Sequence, residues 1–584
     1  MVGFHPAIDV VVAAGLAGLA IAAGARVRRL VRVPLQPGLR LAADFILGSW
    51  ILSVVLTFFG VVHAWRTWLL ITIVLAIAAG GRWHRNGWQW TCLWAPVAGA
   101  LLALPVALAP PFFYDALVYH LGLPWQGLLE GGLRAHSEDL FSTFPPLAQL
   151  MAVIPLSEGF DRAPALLHWC SFIAAGAGAG AIARVLGAPR WAAWLAAGCV
   201  PLLPGHVLVP GLPAAEGYAL AGMLTAAGVV LDLRQSVRSA ALAGLLAGAA
   251  VAARLQAVPW CALVIALVIV RSSRPLRAAL AAVAGAAAGS APWWFKNLVL
   301  LGDPFAPIGW QREGVATLWR DANVLLGQGG SVQEILGGIL GAIAPHMVYL
   351  GPLVLAATLA VASRRHRPVG LAAALAGTAL LTWGLAGTLP RFLAPAAAML
   401  AALAAASAGI GRSGRWAAGL SLGVLAASGV ALAAGELAGI GGQQVFTGAG
   451  VVNPRFVAND PRPAFAAAEG LPSDARVLFV GEPRGFGFPR AFVAPSQHDV
   501  SPVRSVLEAS GSPGEACRRL RQQGFTHILV NWGELGRLGA GYPVAPWRDP
   551  QGWRRWNAFV ASLGPPALEA RGVQVFALSA QSGL

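Results

Sequence analysis

Apolar runs separated by short polar turns dominate the first 435 residues, at about 7–25, 41–62, 67–80, 91–109, 163–184, 191–209, 217–232, 239–253, 257–271, 276–293, 346–362, 369–388, 391–410 and 416–435. A helix crosses a bilayer in about 17–25 apolar residues, so this pattern predicts an all-α polytopic membrane protein of about fourteen transmembrane helices. The first run lacks a signal-peptide cleavage pattern and is followed by Arg26, Arg28, Arg29, Arg32 and Arg40, which predicts a first helix with an external N-terminus. Residues 145–158, opened by Pro145-Pro146, are too short to cross; they predict an interfacial helix or a continuation into the next span.

From about residue 442 the pattern changes. ARVLFVG (475–481), THILVNW (526–532) and GVQVFAL (572–578) read as strands and PGEACRRLRQQG (513–524) as a helix, a C-terminal α/β domain of ordinary size. The chain thus divides into N-terminal spans (1–109), a polar loop (110–162), a helix bundle interrupted by loop 294–345 (163–441), and the soluble domain (442–584).

Composition excludes a soluble globular protein, with 57% hydrophobic and only 11% charged residues. A net charge of +16 would suggest nucleic acid in a soluble chain. Here the arginines fall mainly in short turns, which is an orientation signal for membrane insertion. An external N-terminus puts Arg184, Arg190, Arg234, Arg238, Arg271, Arg274, Arg277, Arg364, Arg365, Arg367, Arg412 and Arg415 in cytoplasmic turns, with Asp232 their only acid. Loops 110–162 and 294–345 and the tail are then external, and nucleic acid is not expected as a partner. The five cysteines have neither zinc spacing nor a disulfide framework.

The 110–146 stretch concentrates Asp115, Glu130, Glu138 and Asp139 among Tyr114, Tyr119, His120 and Trp125. Polar chemistry this dense beside a membrane marks a site. The run Tyr114-Asp115-Ala116-Leu117-Val118-Tyr119-His120-Leu121, the Gly131-Gly132 turn and Phe141 to Pro146 resemble the first large external loop of the GT-C superfamily. These are polytopic glycosyltransferases, similar to protein mannosyltransferases and aminoarabinose transferases, that use lipid-phosphate sugars. The resemblance implies an acidic catalytic residue early in the loop, which Asp115 matches. Lys296 in PWWFKNLVLLGDP and Arg391 in LPRFLAP resemble two further elements of the family, while Arg254 stands where the family more often has Thr-Lys. Glu216 matches a position often acidic there.

What this implies is transfer of a sugar from a polyprenyl-phosphate donor to a lipid, glycan or protein acceptor at the periplasmic face of a bacterial inner membrane. Such a transfer needs a base for the acceptor proton and cations for the departing phosphate. It needs no general acid, because a lipid phosphate leaves as a stable anion. Asp115 is the candidate base, taking the proton late in the displacement; the competing reading is a helix N-cap. Arg254, Lys296 and Arg391 are the candidate phosphate ligands, against snorkelling for Arg254 and interfacial anchoring beside Trp293, Trp294 and Trp383 for the other two.

Glu216 would contact the acceptor, orient Arg254, or simply charge a helix N-terminus. Tyr119, His120, Glu138 and Asp139 complete the expected substrate-binding set. No compact Asp-x-Asp spacing is present, so no metal or other cofactor is expected, although Asp115, Glu138 and Asp139 offer oxygens to a divalent ion. Gly481-Glu482-Pro483-Arg484-Gly485-Phe486-Gly487 reads as a turn, not a phosphate loop, since no helix start follows it. A transporter or lipid flippase is the rival class, and a scaffold binding partners through its tail is a third.

Overall fold

The least interrupted apolar runs form the longest helices, among them Pro6–Val31, Pro37–Val61, Ala163–Val185 and Arg412–Gly439. The computed structural model describes residues 6–66, 69, 72, 92–135, 139–205, 207–232, 236–310, 315, 317–318, 332–363, 367–440 and 459–578. Among these, seven helices are long and apolar enough to cross a membrane, or eight if the bent pair Pro275–Gly289 and Ala291–Leu301 is one span. The chain is a multi-pass membrane protein.

Several of the fourteen expected spans form shorter helices. The 191–209 run is α-helical only over Arg190–Cys199 and then tightens into a 3₁₀ turn, Val200–Leu202, at Pro201. The 91–109 run breaks at a 3₁₀ turn, Leu101–Ala103, ahead of Pro105. Glu216–Asp232 and Val237–Ala253 have 17 residues each, the lower limit for a crossing, and Val258–Arg271 has 14; the 67–80 run lies almost wholly outside the described residues.

Two details show how the bundle closes. The 60° bend between Pro275–Gly289 and Ala291–Leu301 falls where Pro292 lacks an N–H for the carbonyl of Ala288. Trp50 Nε1 donates to that carbonyl instead, at 3.0 Å. The first two helices touch at Gly24 and Gly48, where an added Cβ would stand 1.8 Å from the Asp44 carbonyl oxygen and 1.7 Å from that of Ala20. Small residues permit this approach where lipid supplies no hydrophobic drive, and Arg28 braces it with a two-pronged bond to Asp44 (Nε–Oδ1 2.6 Å, Nη2–Oδ2 3.0 Å).

The C-terminal domain is a five-stranded sheet in the order β2-β1-β3-β5-β4. β1 (Arg476–Val480), β3 (His527–Asn531) and β5 (Val573–Ala577) are the three strands legible in the sequence, and the expected helix is Pro513–Gln522. The short edge strands β2 (Ala491–Val493) and β4 (Leu568–Ala570) lie outside that reading. β1 runs parallel to β2 and β3, and β5 antiparallel to β3 and β4. One face carries Val503, Leu520, Trp556 and Phe559 from the covering helices. The other carries Phe465, Phe479, Phe488 and Phe492, against which Trp125 packs.

The domain is therefore docked on the 110–162 loop. Trp125 Nε1 donates to the Phe488 carbonyl (2.7 Å) and Gln126 Nε2 to that of Phe492 (3.0 Å). The glycine-rich 481–487 segment is a turn, with Gly481 and Gly487 at φ +73° and +90°. It serves the docking: Phe486 N donates to the Leu117 carbonyl (3.2 Å) and its ring meets Trp125 edge-on. The proline-opened stretch becomes a separate helix, Leu147–Ser157, buried along nearly its whole length. It is packed inside the fold, neither laid on the surface nor continuous with the next span.

Candidate functional site

Asp115 precedes a single turn of π-helix, Ala116–His120, a rare geometry that recurs at functional sites. Its side chain makes no capping bond, so the N-cap reading fails. Instead Oδ2 accepts from Arg391 Nη2 at 3.3 Å. Arg391 comes from a proline-led 3₁₀ turn, Pro390–Leu393, that opens the helix Ala394–Ser407, and its Nε lies 3.6 Å from Glu216 Oε1. Glu216 also pairs with Arg254. The two guanidinium groups flank the Phe392 ring at 4.6 and 5.4 Å. Four segments far apart in sequence thus supply two acids and two cations in alternation.

Asp115, Arg254 and Arg391 border a cavity of about 930 Å³. Glu216 lines a narrower apolar crevice that shares Arg254 and Arg391 with that cavity and continues past Ala219, Met223, Trp260 and Trp383. Glu216 is buried at the first residue of its helix, where Oε2 accepts from Ala215 N at 3.1 Å. Glu216 thus stands at a helix start and within ion-pair distance of both arginines.

Tyr119 and His120 also line the cavity, their rings 4.2 Å apart and Tyr119 stacked at a tilt 4.5 Å from Phe141. Burial raises the Tyr119 phenol, helped by the Asp115 charge. Burial pushes His120 down to about 3, with Arg254 and Arg391 acting the same way. Both rings are therefore neutral near pH 7, suited to hydrogen bonding and unsuited to binding an anion by charge.

Two expected members, Lys296 and Asp139, lie elsewhere. Lys296 is 2% exposed and absent from the cavity wall. Its Nζ donates to the carbonyls of Ser142 and Phe144, the latter at 3.0 Å. With Asn297, which donates to the Thr143 and Ala306 carbonyls (2.8 and 2.9 Å), it staples the 140–144 turn. The reason is local: that turn presents carbonyls with no helical partner, and a buried ammonium satisfies them.

Asp139 is buried as well, accepting from Phe141 N at 3.0 Å as the cap of the turn Leu140–Thr143. Near it Asp499 accepts from Leu140 N at 3.1 and 3.2 Å. Burial raises both carboxyls, and the Asp139 charge raises Asp499 further. Glu138 lies outside the described residues.

The cavity also has walls that the sequence reading did not name. Gln149 and Gln256 contribute amides, and Gln497 and His498 reach it from the C-terminal domain. No sequence signal marks the last two beyond their place in the tail. Among the described residues no group of three or more His, Cys, Asp or Glu is arranged to hold a metal ion.

Two solved structures share this fold. ArnT of Cupriavidus metallidurans bound to undecaprenyl phosphate aligns with a TM-score of 0.50 at 15% identity, over 85% of this chain and 99% of its own. The same protein in the apo state aligns with a TM-score of 0.51 at 16% identity, over 84% and 98%. No protein-family model and no curated protein matches the chain.

Proposed function

We propose that this chain, whose fold is that of the GT-C superfamily, is a membrane glycosyltransferase moving a sugar from a polyprenyl-phosphate-linked donor to a hydroxyl of a lipid, glycan or protein acceptor. The single observation that carries the reading is the presence of Asp115, Arg254 and Arg391 on the wall of one large cavity. A neighbour of the same fold, ArnT, was solved with undecaprenyl phosphate. We place the reaction at the periplasmic face of a bacterial inner membrane, with about fourteen crossings and both the N-terminus and the C-terminal domain on that face. The charge bias of the turns supports this orientation.

In this reading the acceptor oxygen attacks the anomeric carbon while its proton passes to Asp115. The bond from that carbon to the phosphate oxygen breaks, and the polyprenyl phosphate leaves as an anion held by Arg391 and Arg254. Arg can grip a phosphate through two parallel N–H bonds. The single 3.3 Å contact between Arg391 and Asp115 gives way when phosphate arrives, which frees the carboxylate to act as base.

The apolar crevice leading away from the two arginines suits the polyprenyl chain. Tyr119 and His120, neutral and at the cavity wall, suit sugar hydroxyls. The arginines supply the positive charge that the departing phosphate needs, so transfer is expected to persist in EDTA.

Reconstituted vesicles carrying undecaprenyl-phosphate sugars test the proposal. Transfer of label to an acceptor by the wild type, and its loss in Asp115→Asn, are expected. Flipping or uptake of the labelled lipid without bond formation would replace the reading with a transporter.

A further inference from the structure

The buried helix Leu147–Ser157 carries two polar side chains, Gln149 and Ser157, among apolar ones. Ser157 Oγ donates to the Ile154 carbonyl at 2.8 Å, the usual way a helix absorbs a hydroxyl. Gln149 has no such outlet. It is 8% exposed, and its amide makes no hydrogen bond among the described residues. A buried amide without a partner costs stability and calls for an explanation.

Neither amide atom of Gln149 is sealed in; both keep contact with open space. Two spaces meet at this side chain. One is the large cavity, which Gln149 lines together with Ala148. The other is a void of about 20 Å³, bordered also by Gln126, Ser142 and Lys296, with room for about one water. An amide has an accepting end and a donating end, and a hydroxyl bonds with either. Whichever way this amide is turned, a hydroxyl in the cavity can complete it.

The surroundings fit a sugar better than a phosphate. Gln149 carries no charge, and the cations of the cavity come from elsewhere: Arg254 ends the helix Val237–Ala253, and Arg391 stands in the turn Pro390–Leu393. Tyr119, Phe141 and Phe144 also line the cavity, with the two phenylalanine rings 4.5 and 6.4 Å from that of Tyr119. Rings framing a few polar groups hold and orient a neutral ligand. The helix of Gln149 packs against the π-helical turn Ala116–His120 that follows Asp115.

We infer that Gln149 is a hydroxyl-recognising residue for the donor sugar, framed by Tyr119, Phe141 and Phe144, and that it sets which sugar the cavity prefers. This rests on the reading of the cavity as a glycosyl-transfer site. A sugar with a hydroxyl in reach of the amide is held, and an epimer that turns this hydroxyl away leaves the amide unpaired.

The test measures equilibrium binding by the full-length protein in nanodiscs, using undecaprenyl phosphate alone and its glucosyl, galactosyl and mannosyl forms. The three glycosyl lipids share chain and charge and differ in the direction of ring hydroxyls. The wild type is expected to prefer one of them. Gln149→Leu and Gln149→Met are expected to weaken binding of the preferred form by about twofold to tenfold, the strength of one neutral hydrogen bond, and to leave the bare lipid unchanged. Because the amide has no partner in the fold, both variants are expected to melt no lower than the wild type.

The inference is overturned if the wild type binds the three glycosyl forms equally, or if either variant keeps the preference. It is also overturned if the variants weaken the bare lipid as much as the preferred form, or if both melt lower than the wild type, since the amide would then serve the phosphate or the fold. Failure of the wild type to bind any of the four lipids would instead remove the transferase reading beneath it.

Discussion

Tyr114 and Asp115 are neighbours in the chain and belong to opposite kinds of polar cluster. Tyr114 Oη donates to Glu534 Oε1 (2.9 Å), inside a knot where Arg484 grips Glu482 with two bonds of 2.7 Å and Asn531 Nδ2 adds a third at 2.6 Å. Glu482, Arg484 and Glu534 are 1%, 4% and 1% exposed. Across the peptide bond, the side chains of Asp115 and Arg391 are 25% and 24% exposed and share one 3.3 Å contact beside an open cavity. The first cluster is complete and holds two parts of the molecule together. The second is more exposed and has room for a ligand beside it, which supports our proposal that chemistry resides there.

The largest expected effect comes from breaking the open cluster. Asp115→Asn is expected to lower turnover by about 10²–10⁴ with thermal unfolding unchanged; a variant that unfolds instead would make both clusters structural and erase the contrast. In the closed cluster, Arg484→Met leaves two carboxylates facing each other out of water. A loss of about 3–5 kcal/mol of stability is expected, read as earlier unfolding and easier proteolysis of the C-terminal domain. A smaller effect is expected from Arg391→Gln, which should weaken binding of undecaprenyl phosphate by about tenfold to a hundredfold, as loss of a charged hydrogen bond does.

The smallest effect concerns pH. Burial raises Asp139 and Asp499 above the ordinary carboxylate range, so the folded state holds their protons more tightly than the unfolded one. Their contribution to stability is full below about pH 4 and is lost as pH rises through the raised values. The melting temperature is therefore expected to fall with rising pH, and Asp499→Asn is expected to flatten that slope. An unchanged slope would count against burial as the cause of the raised Asp499 carboxyl.

Hydropathy alone makes the long helices visible, because an unbroken apolar run of about five turns needs no distant partner to be read. Strands β1, β3 and β5 are visible for a similar reason, being short apolar runs between turn residues. The site is only half legible. Asp115, Glu216, Arg254 and Arg391 stand out as ionisable groups in apolar surroundings, and they converge.

Lys296 stands out equally and is spent on backbone carbonyls, because a sequence shows that a charge is buried and not what it meets. Gln497 and His498 are ordinary residues in a soluble domain. Their place at the cavity comes from docking contacts such as the Leu140 amide on Asp499, spanning 359 positions of sequence. The 3₁₀ break before Pro105 and the bend before Pro292 were punctuated in the sequence, yet their angles depend on what captures the orphaned carbonyls.

The adjacency of Tyr114 and Asp115 also constrains how this protein can vary. With the phenol tethered to the C-terminal domain and the carboxylate pointed at an arginine of the bundle, the two anchors stand one peptide unit, about 3.8 Å, apart. An inserted or deleted residue at this junction would force one anchor to let go. The spacing between tether and acid acts as a fixed ruler between the two halves of the molecule.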